Sequence, residues 1–93
     1  MQILEDNERL YIKSPDGKSE IAEITFSRIG DDKASINHTY VSDDYQGQGI
    51  AGQLFNLVIE KMQQEGRKII PICSYAKQQF ERRPELQTIL AKF

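Results

Sequence analysis

The chain has 93 residues, 39% of them hydrophobic and 28% charged, which predicts one globular domain over residues 1–93 and excludes a disordered tail. The net charge of −2 argues against a nucleic-acid binder, but it divides into −5 over residues 1–45 and +3 over residues 46–93. That division fits ordinary solvated surface, or an anionic ligand on the second half.

The cysteine content, the hydropathy and the first residues indicate the compartment. Cys73 is the only cysteine, which excludes an internal disulfide and a cysteine-rich zinc site, and no metal site is predicted. No apolar run approaches the roughly 18–20 residues of a membrane span. Residues 1–6 lack the basic and then apolar order of a signal peptide. We therefore expect a cytoplasmic protein with no membrane partner.

The first half of the chain alternates apolar and polar residues, the pattern of strands with one buried face. Residues 10–13 form one such run and residues 22–27 another. Between them, Ser14-Pro15-Asp16-Gly17 is a turn sequence, since proline fixes φ and glycine permits a positive one. The two runs therefore predict a hairpin.

A third strand is predicted over residues 34–42, after a second turn at residues 30–33. Regular alternation would place Ile36, His38 and Tyr40 on one face of this strand. The first half is then a meander of three antiparallel strands.

The hydrophobic period changes in the second half of the chain. From Gln48 to Glu65, apolar residues recur at spacings of three and four, which predicts an amphipathic helix of about five turns. Gly66 is placed to end this helix in a left-handed conformation. Residues 67–73 form a short apolar strand, in which Pro71 has no N–H for a ladder and marks an edge or a point where strands part.

The order of these elements predicts the fold class. A strand, a long helix and a strand form a right-handed crossover, so the last strand runs parallel to the third. From Ser74 onward a helical spacing is interrupted near Pro84. We predict an α+β fold, in which an antiparallel meander is extended by one parallel strand and helices pack on the sheet.

Gly47, Gly49 and Gly52 lie between the predicted end of the third strand and the first turn of the helix. The first N–H groups of a helix lack internal partners, and the helix dipole adds positive charge there. Small residues let an anion approach the main chain closely. This junction therefore suits a pyrophosphate, although a tight strand-to-helix turn would need the same glycines.

Two common phosphate-binding motifs do not fit this loop. A P-loop reading fails because no Gly-Lys-Ser/Thr follows. A dinucleotide-binding motif requires a strand that opens a βαβ unit, whereas the strand before this loop closes a meander. The glycines alone therefore leave the turn and the anion site both open.

The segment Gln46-Gly47-Gln48-Gly49-Ile50-Ala51 resembles the Gln/Arg-x-x-Gly-x-Gly/Ala signature of the GCN5-related N-acetyltransferases. His38-Thr39-Tyr40-Val41 ahead of it and Pro71-x-Cys73-Ser74-Tyr75-Ala76 after it resemble a short subfamily of about this length, named for its Cys and Gly motifs. The resemblance covers roughly residues 9–83. It implies a minimal version of that fold, in which the third and last strands splay around acetyl-CoA.

The resemblance also implies where the cofactor binds. The exposed main chain of the third strand would pair with the pantetheine arm, and the loop amides would hold the diphosphate. Lys77, Arg82 and Arg83 would face the 3′-phosphate or be solvated surface. The cofactor-binding residues that the resemblance implies are His38, Thr39, Tyr40, Val41, Gln46, Gly47, Gln48, Gly49, Ile50, Ala51, Gly52, Gln53, Cys73 and Lys77.

The family's usual acid is a tyrosine seven residues after an asparagine, but this chain has Cys73 and Phe80 at the matching positions. Three catalytic candidates remain: His38 as the base for an amine, Cys73 as acyl acceptor or acid, and Tyr75 as the substitute acid. Each also has a structural alternative, namely a hydrogen-bonded packing histidine, a buried small side chain and an interfacial aromatic.

The predicted function is acetyl transfer from acetyl-CoA to an unidentified amine, either directly or through an acyl-Cys73. The alternative is a non-catalytic module that binds acetyl-CoA as a sensor or carrier, since the usual tyrosine is missing. The acceptor pocket is expected to be open, or completed by another protein or a second copy. We expect a monomer or a weak homodimer.

Overall fold

The computed structural model describes residues 2–92. These residues form one mixed sheet with helices packed against it, in the chain order that follows. The strands are β1 (Ile3–Asp6), β2 (Arg9–Lys13), β3 (Glu20–Ile29), β4 (Lys33–Val41) and β5 (Lys68–Pro71); the helices are α1 (Ile50–Gln64) and α2 (Ser74–Arg82), and 3-10 helices cover Asp43–Tyr45 and Pro84–Ile89.

The strands of the sheet lie in their sequence order, from β1 to β5. The pairs β1–β2, β2–β3 and β3–β4 are antiparallel, and β4–β5 is parallel, as the strand–helix–strand order requires. The predicted α+β class, with a meander extended by one parallel strand, is therefore confirmed.

The sequence did not predict β1, which is a short edge strand. Two apolar residues followed by Glu5 and Asp6 are too few to show an alternation. The strand pairs with β2, and Glu5 also forms an ion pair with Lys61 of α1 at 2.8 Å. Acidic side chains on such an edge discourage pairing with a further strand.

The core lies between α1 and one face of the sheet. Ile24 and Phe26 of β3 are buried, as are Leu54, Phe55 and Val58 of α1. Burying one side chain of this size stabilises a fold by about 1.5–3 kcal/mol. The apolar residues that recur at three and four positions in the sequence thus form the face of α1 that packs on the sheet.

A β-bulge in β4 changes which of its residues face the core. Thr25 of β3 pairs with His38, but the next residue, Phe26, pairs with Ile36, so β4 has one extra residue at this point. Ile36 is fully buried, whereas His38 and Tyr40 are exposed. The prediction that these three residues share a face is wrong, because the extra residue reverses the alternation.

The strands β4 and β5 part at Pro71. Their pairing ends where Ile36 lies opposite Pro71, while β4 continues to Val41. The N–H groups of Ile72 and Cys73 both donate to Ile36 O, at 3.0 and 3.2 Å, as the chain turns away from β4. The far half of β4 is therefore left with an open edge, as expected for a proline without a ladder donor.

The C-terminal segment covers the other edge of β5. The helical pattern is interrupted at Pro84 as predicted, because Arg83 before it is extended. After the second 3-10 helix, Leu90 forms a parallel bridge with Ile69, and Ala91 N–H donates to Ile69 O at 2.8 Å. Within residues 2–92, every helix is too short or too polar to cross a membrane.

Candidate acyl-coenzyme site

A cleft of about 450 Å³ opens where β4 has lost its partner. It is bounded by the end of β4, the loop that leads into α1, the first turn of α1, and α2. The lining residues are Thr39, Tyr40, Val41, Tyr45, Gln46, Gly47, Gly49, Ile50, Ala51, Gly52 and Tyr75.

Two glycines of the loop have backbone conformations that other residues avoid. Gly47 has a φ of 81° and Gly49 a φ of 77°, both in the left-handed region. Within residues 2–92, a Cβ added to either would meet no atom within 4 Å apart from those of its chain neighbours, so the dihedral angle and not the available space requires glycine. A side chain there costs about 1–2 kcal/mol. The same open space leaves the backbone of the loop accessible to a ligand.

In the described part of the chain, no side chain caps the N–H groups in the first turn of α1. Gly49 is the N-cap, and the first helical hydrogen bond runs from Gln53 N–H to Gly49 O at 3.0 Å. The N–H groups of Ile50, Ala51 and Gly52 therefore have no intrahelical acceptor. No acidic residue lies in this turn, so the positive end of the helix dipole is not neutralised there.

The bond made by Gln53 corrects one part of the predicted ligand set. Its amide was expected to help hold the diphosphate, but it is already used inside α1. The hydrogen-bonding pattern of a helix makes the fourth residue after the cap the first with a satisfied N–H. The Gln46 amide, predicted with it, is also used, since it donates to Asp43 O at 3.4 Å. The loop and first-turn amides that remain for a diphosphate lie between these two residues.

The open edge of β4 offers backbone groups to the cleft. Ser42 N–H donates to Ile21 O at 2.7 Å, and backbone groups of successive strand residues point to opposite sides. Thr39 and Val41 therefore turn their N–H and C=O groups away from β3, toward the side that β5 has left. The extended arm of a ligand could pair there as an added strand.

Tyr75 forms the wall of the cleft opposite the loop. Its ring packs edge-on against Phe55, with the centroids 5.8 Å apart, and a Cβ at Gly52 would lie 3.7 Å from its hydroxyl. Burial raises the pKa of Tyr75, and the nearby Arg83 charge opposes this only in part. The phenol therefore stays protonated at neutral pH and can donate a hydrogen bond into the cleft.

Cys73 is the N-cap of α2. Its sulfur accepts a hydrogen bond from Ala76 N–H at 3.4 Å and lies 4.0 Å from Thr39 Oγ1. The side chain is half-buried and packs against the core. The thiol therefore caps α2, and it lies next to Thr39, which lines the cleft.

Five of the predicted cofactor-binding residues lie outside the cleft lining, namely His38, Gln48, Gln53, Cys73 and Lys77. His38 is exposed on the sheet face opposite the core, because of the bulge. Lys77 borders a separate depression with Pro71 and Glu81. Helical spacing turns Lys77 away from Tyr75, two residues earlier.

The basic end of α2 is held by neighbouring side chains. Arg83 donates to Asn56 Oδ1 of α1 at 2.7 Å and to Glu85 Oε2 at 3.1 Å. This contact fixes the end of α2 against α1. An arginine with two such acceptors is less available to a phosphate than a free one.

The sequence did not single out Tyr45 as a site residue. It ends the 3-10 helix before the glycine loop, is half-buried, and packs against the core while it lines the cleft. In the sequence, the only indication of its role is that an aromatic residue directly precedes the glycine loop. The position of its ring depends on the 3-10 helix, which the sequence did not predict.

A protein-family model described as GCN5-related N-acetyl-transferase matches residues 9–89 of the chain. The solution structure of a GCN5-like protein from Staphylococcus aureus is similar, with a TM-score of 0.79 and 30% sequence identity. That match covers 99% of this chain and 89% of the other. No curated protein sequence matches the chain.

Two structures solved with coenzyme A share the fold at lower identity. A Mycobacterium tuberculosis protein in complex with CoA has a TM-score of 0.66 and 14% identity, over 83% of this chain and 47% of that chain. N-acetylglutamate synthase from Neisseria gonorrhoeae, complexed with coenzyme A and N-acetyl-glutamate, has a TM-score of 0.66 and 17% identity, over 82% of this chain and 18% of that chain. At these identities the likeness concerns the fold alone.

Proposed function

The chain belongs to the GCN5-related N-acetyltransferase family, and we propose that it binds acetyl-CoA in the cleft beside β4 and transfers the acetyl group to an amine. The observation that carries the proposal is the loop with two left-handed glycines and an uncapped helix start, placed beside an open strand edge. The amides suit a diphosphate, and the edge suits an extended arm that contains amide groups. The two fold relatives solved with coenzyme A support this assignment.

The chemistry of the transfer requires a proton donor. The amine nitrogen attacks the thioester carbonyl, a C–N bond forms, the C–S bond breaks, and the coenzyme sulfur leaves as a thiolate. We assign the proton for this thiolate to the Tyr75 hydroxyl, which lines the cleft and, like any phenol, carries its proton at neutral pH. We assign His38 as the base that takes the proton of the amine. It is exposed on the sheet face opposite the core, so this amine would approach from that face.

A second candidate function is a coenzyme-binding sensor or carrier without turnover. Phe80 lies where the family has its acid, and it is buried against Phe55 with no ionisable group. Incubation with acetyl-CoA and a panel of amines separates the two functions. Acetylated amine supports the transferase, whereas binding of acetyl-CoA without product supports the sensor.

The loop assignment is tested by Gly49→Glu. A carboxylate in the open space at Gly49 would oppose a diphosphate and occupy its position, so we expect coenzyme A to bind at least a hundredfold more weakly. Binding is measured by calorimetry, and contact with the loop by amide chemical shifts of residues 46–52.

The matched control is Gly17→Glu in the β2–β3 turn. Gly17 has a φ of 74° and equally open surroundings, so this variant has the same charge and the same backbone cost away from the cleft. We expect it to bind coenzyme A like the wild type. Equal affinities for the two variants, or loop amides of the wild type that do not shift with coenzyme A, would contradict the assignment.

Direct attack by the amine is tested by Cys73→Ser. A serine hydroxyl can also accept the Ala76 N–H, so the α2 cap and the fold are kept. We expect acetyl transfer to remain within a few-fold of the wild type. A thioester on Cys73 detected by mass spectrometry, together with loss of transfer in this variant, would establish instead a relay in which the thiol takes the acetyl group and gives its proton to the coenzyme.

A further inference from the structure

Gln46 begins the glycine loop, and its side chain is hydrogen-bonded to residues that precede the loop. Its Nε2 lies 3.2 Å from Val41 O and 3.2 Å from Asp43 Oδ1. A carboxamide nitrogen has two N–H donors, one for each acceptor. The side chain therefore joins the start of the loop to the end of β4 and to the 3-10 helix between them.

The carbonyl that Gln46 binds belongs to the open edge of β4. Val41 turns its backbone groups away from β3, because the next residue, Ser42, pairs with Ile21 of that strand. Val41 C=O would otherwise be the last acceptor available to a chain added along this edge. With Gln46 in place, the added chain has the Thr39 groups and the Val41 N–H.

The same two hydrogen bonds fix the distance between the edge and the loop. Thr39 and Val41 are two residues apart, or about 7 Å along an extended strand. Gly47, directly after Gln46, starts the amides proposed for the diphosphate. A ligand that contacts both the edge and the loop must match this spacing.

We propose that Gln46 is a positioning residue, which sets the register of the pantetheine arm relative to the diphosphate and is not itself a phosphate ligand. This inference rests on the proposed function, since it concerns how the same cleft holds acyl-coenzyme A. It also assigns a task to the first residue of the glycine motif that is separate from the task of the glycines.

The test compares two ligands in Gln46→Met, which keeps the length of the side chain but removes both donors. ADP has the diphosphate without the pantetheine arm, so it needs no register between loop and edge. We expect coenzyme A to bind about tenfold more weakly, because the hydrogen bonds to a carbonyl and to a carboxylate no longer hold the register, and ADP to change less than twofold. Gln46→Arg, which restores donors on a long side chain, is expected to recover coenzyme A binding.

Gln63→Met, at the exposed far end of α1, is the matched control and should bind both ligands like the wild type. Equal losses for ADP and coenzyme A in Gln46→Met would make Gln46 a phosphate ligand and overturn the inference, as would no loss for either. If Gln46→Met does not fold, Gln46→Asn, which is too short to reach both acceptors, replaces it. A wild type that binds no coenzyme A would overturn the proposed function, and this inference with it.

Discussion

Tyr75 unites three properties that a proton donor for a thiolate needs. It lines the cleft, its ring is held by an edge-on contact with Phe55, and burial raises its pKa. A phenol carries its proton throughout the neutral range, and the raised pKa extends this range further into alkaline pH. The hydroxyl lies beside the first turn of α1 at Gly52. A donor held in place loses little entropy when it acts.

Tyr75→Phe removes the hydroxyl group that carries this proton and keeps the aromatic ring. Phenylalanine keeps the ring contact with Phe55, so the fold and the affinity for coenzyme A should be unchanged. We expect the turnover rate to fall about a hundredfold, the lower end of the usual contribution of a general acid. The wild-type rate should hold at alkaline pH until the raised pKa of Tyr75 is passed. A rate in Tyr75→Phe equal to that of the wild type would remove Tyr75 from the mechanism.

The sequence predicted single residues well where a backbone angle restricts the residue type. Gly47 and Gly49 were identifiable because few residues other than glycine adopt a positive φ. The face of His38 was not, because the bulge that reverses it is a property of the pairing between β3 and β4. One extra residue in a strand has no signature in an alternation of four or five side chains.

At the scale of the elements, Phe55 connects the two helices that border the cleft. It is fully buried in α1 and contacts both Tyr75 and Phe80 of α2 edge-on, with ring centroids 5.8 and 6.2 Å away. Aromatic pairs of this geometry each contribute about 0.5–1.5 kcal/mol beyond the area they bury. The position of the Tyr75 wall therefore depends on a core residue that does not line the cleft.

Phe55→Leu should weaken both the fold and the site. Loss of two aromatic contacts lowers the free energy of unfolding by about 1–3 kcal/mol, measured by urea denaturation. Because α2 is then less firmly held, we expect coenzyme A affinity to fall several-fold. Phe26→Leu in β3 is the control: Phe26 is equally buried but lies outside these contacts, so stability should fall without a change in affinity. The same affinity loss in both variants would contradict the link through Phe55.

Elements with strong local signals were predictable, and those that depend on a neighbour were not. The periodicity of α1 and the proline at the end of β5 gave the crossover and the parting of the strands. The edge strand β1 exists because β2 offers it a partner, and its own four residues do not show this. The start of α1 at Ile50, two residues later than predicted, follows from the left-handed Gly49.

At the scale of the whole molecule, ion pairs hold the C-terminal end of α1 against the sheet. Glu65 accepts from both Arg28 Nη2, at 2.7 Å, and Arg28 Nε, at 2.8 Å, and also from Arg67 Nε at 2.8 Å. Arg67 in turn donates to the carbonyls of Gly30 and Lys33, at the β3–β4 turn. These bonds lower the pKa of Glu65 to about 2, with Arg28 the largest cause.

Protonation of Glu65 in acid should therefore break these ion pairs and lower the stability of the fold. The variant Glu65→Gln tests this expectation. A carboxylate whose pKa lies near 2 when folded and 4.5 when unfolded stabilises the fold above pH 4.5, and this contribution is lost as the pH falls toward 2. We expect the urea midpoint of the wild type to decline through this range. Glu65→Gln should be less stable than the wild type at pH 7 and decline less steeply, so that the two curves converge in acid. Glu60→Gln, on the exposed side of α1, should keep the wild-type slope. Parallel curves for the wild type and Glu65→Gln would show that the ion pairs are too well solvated to stabilise the fold.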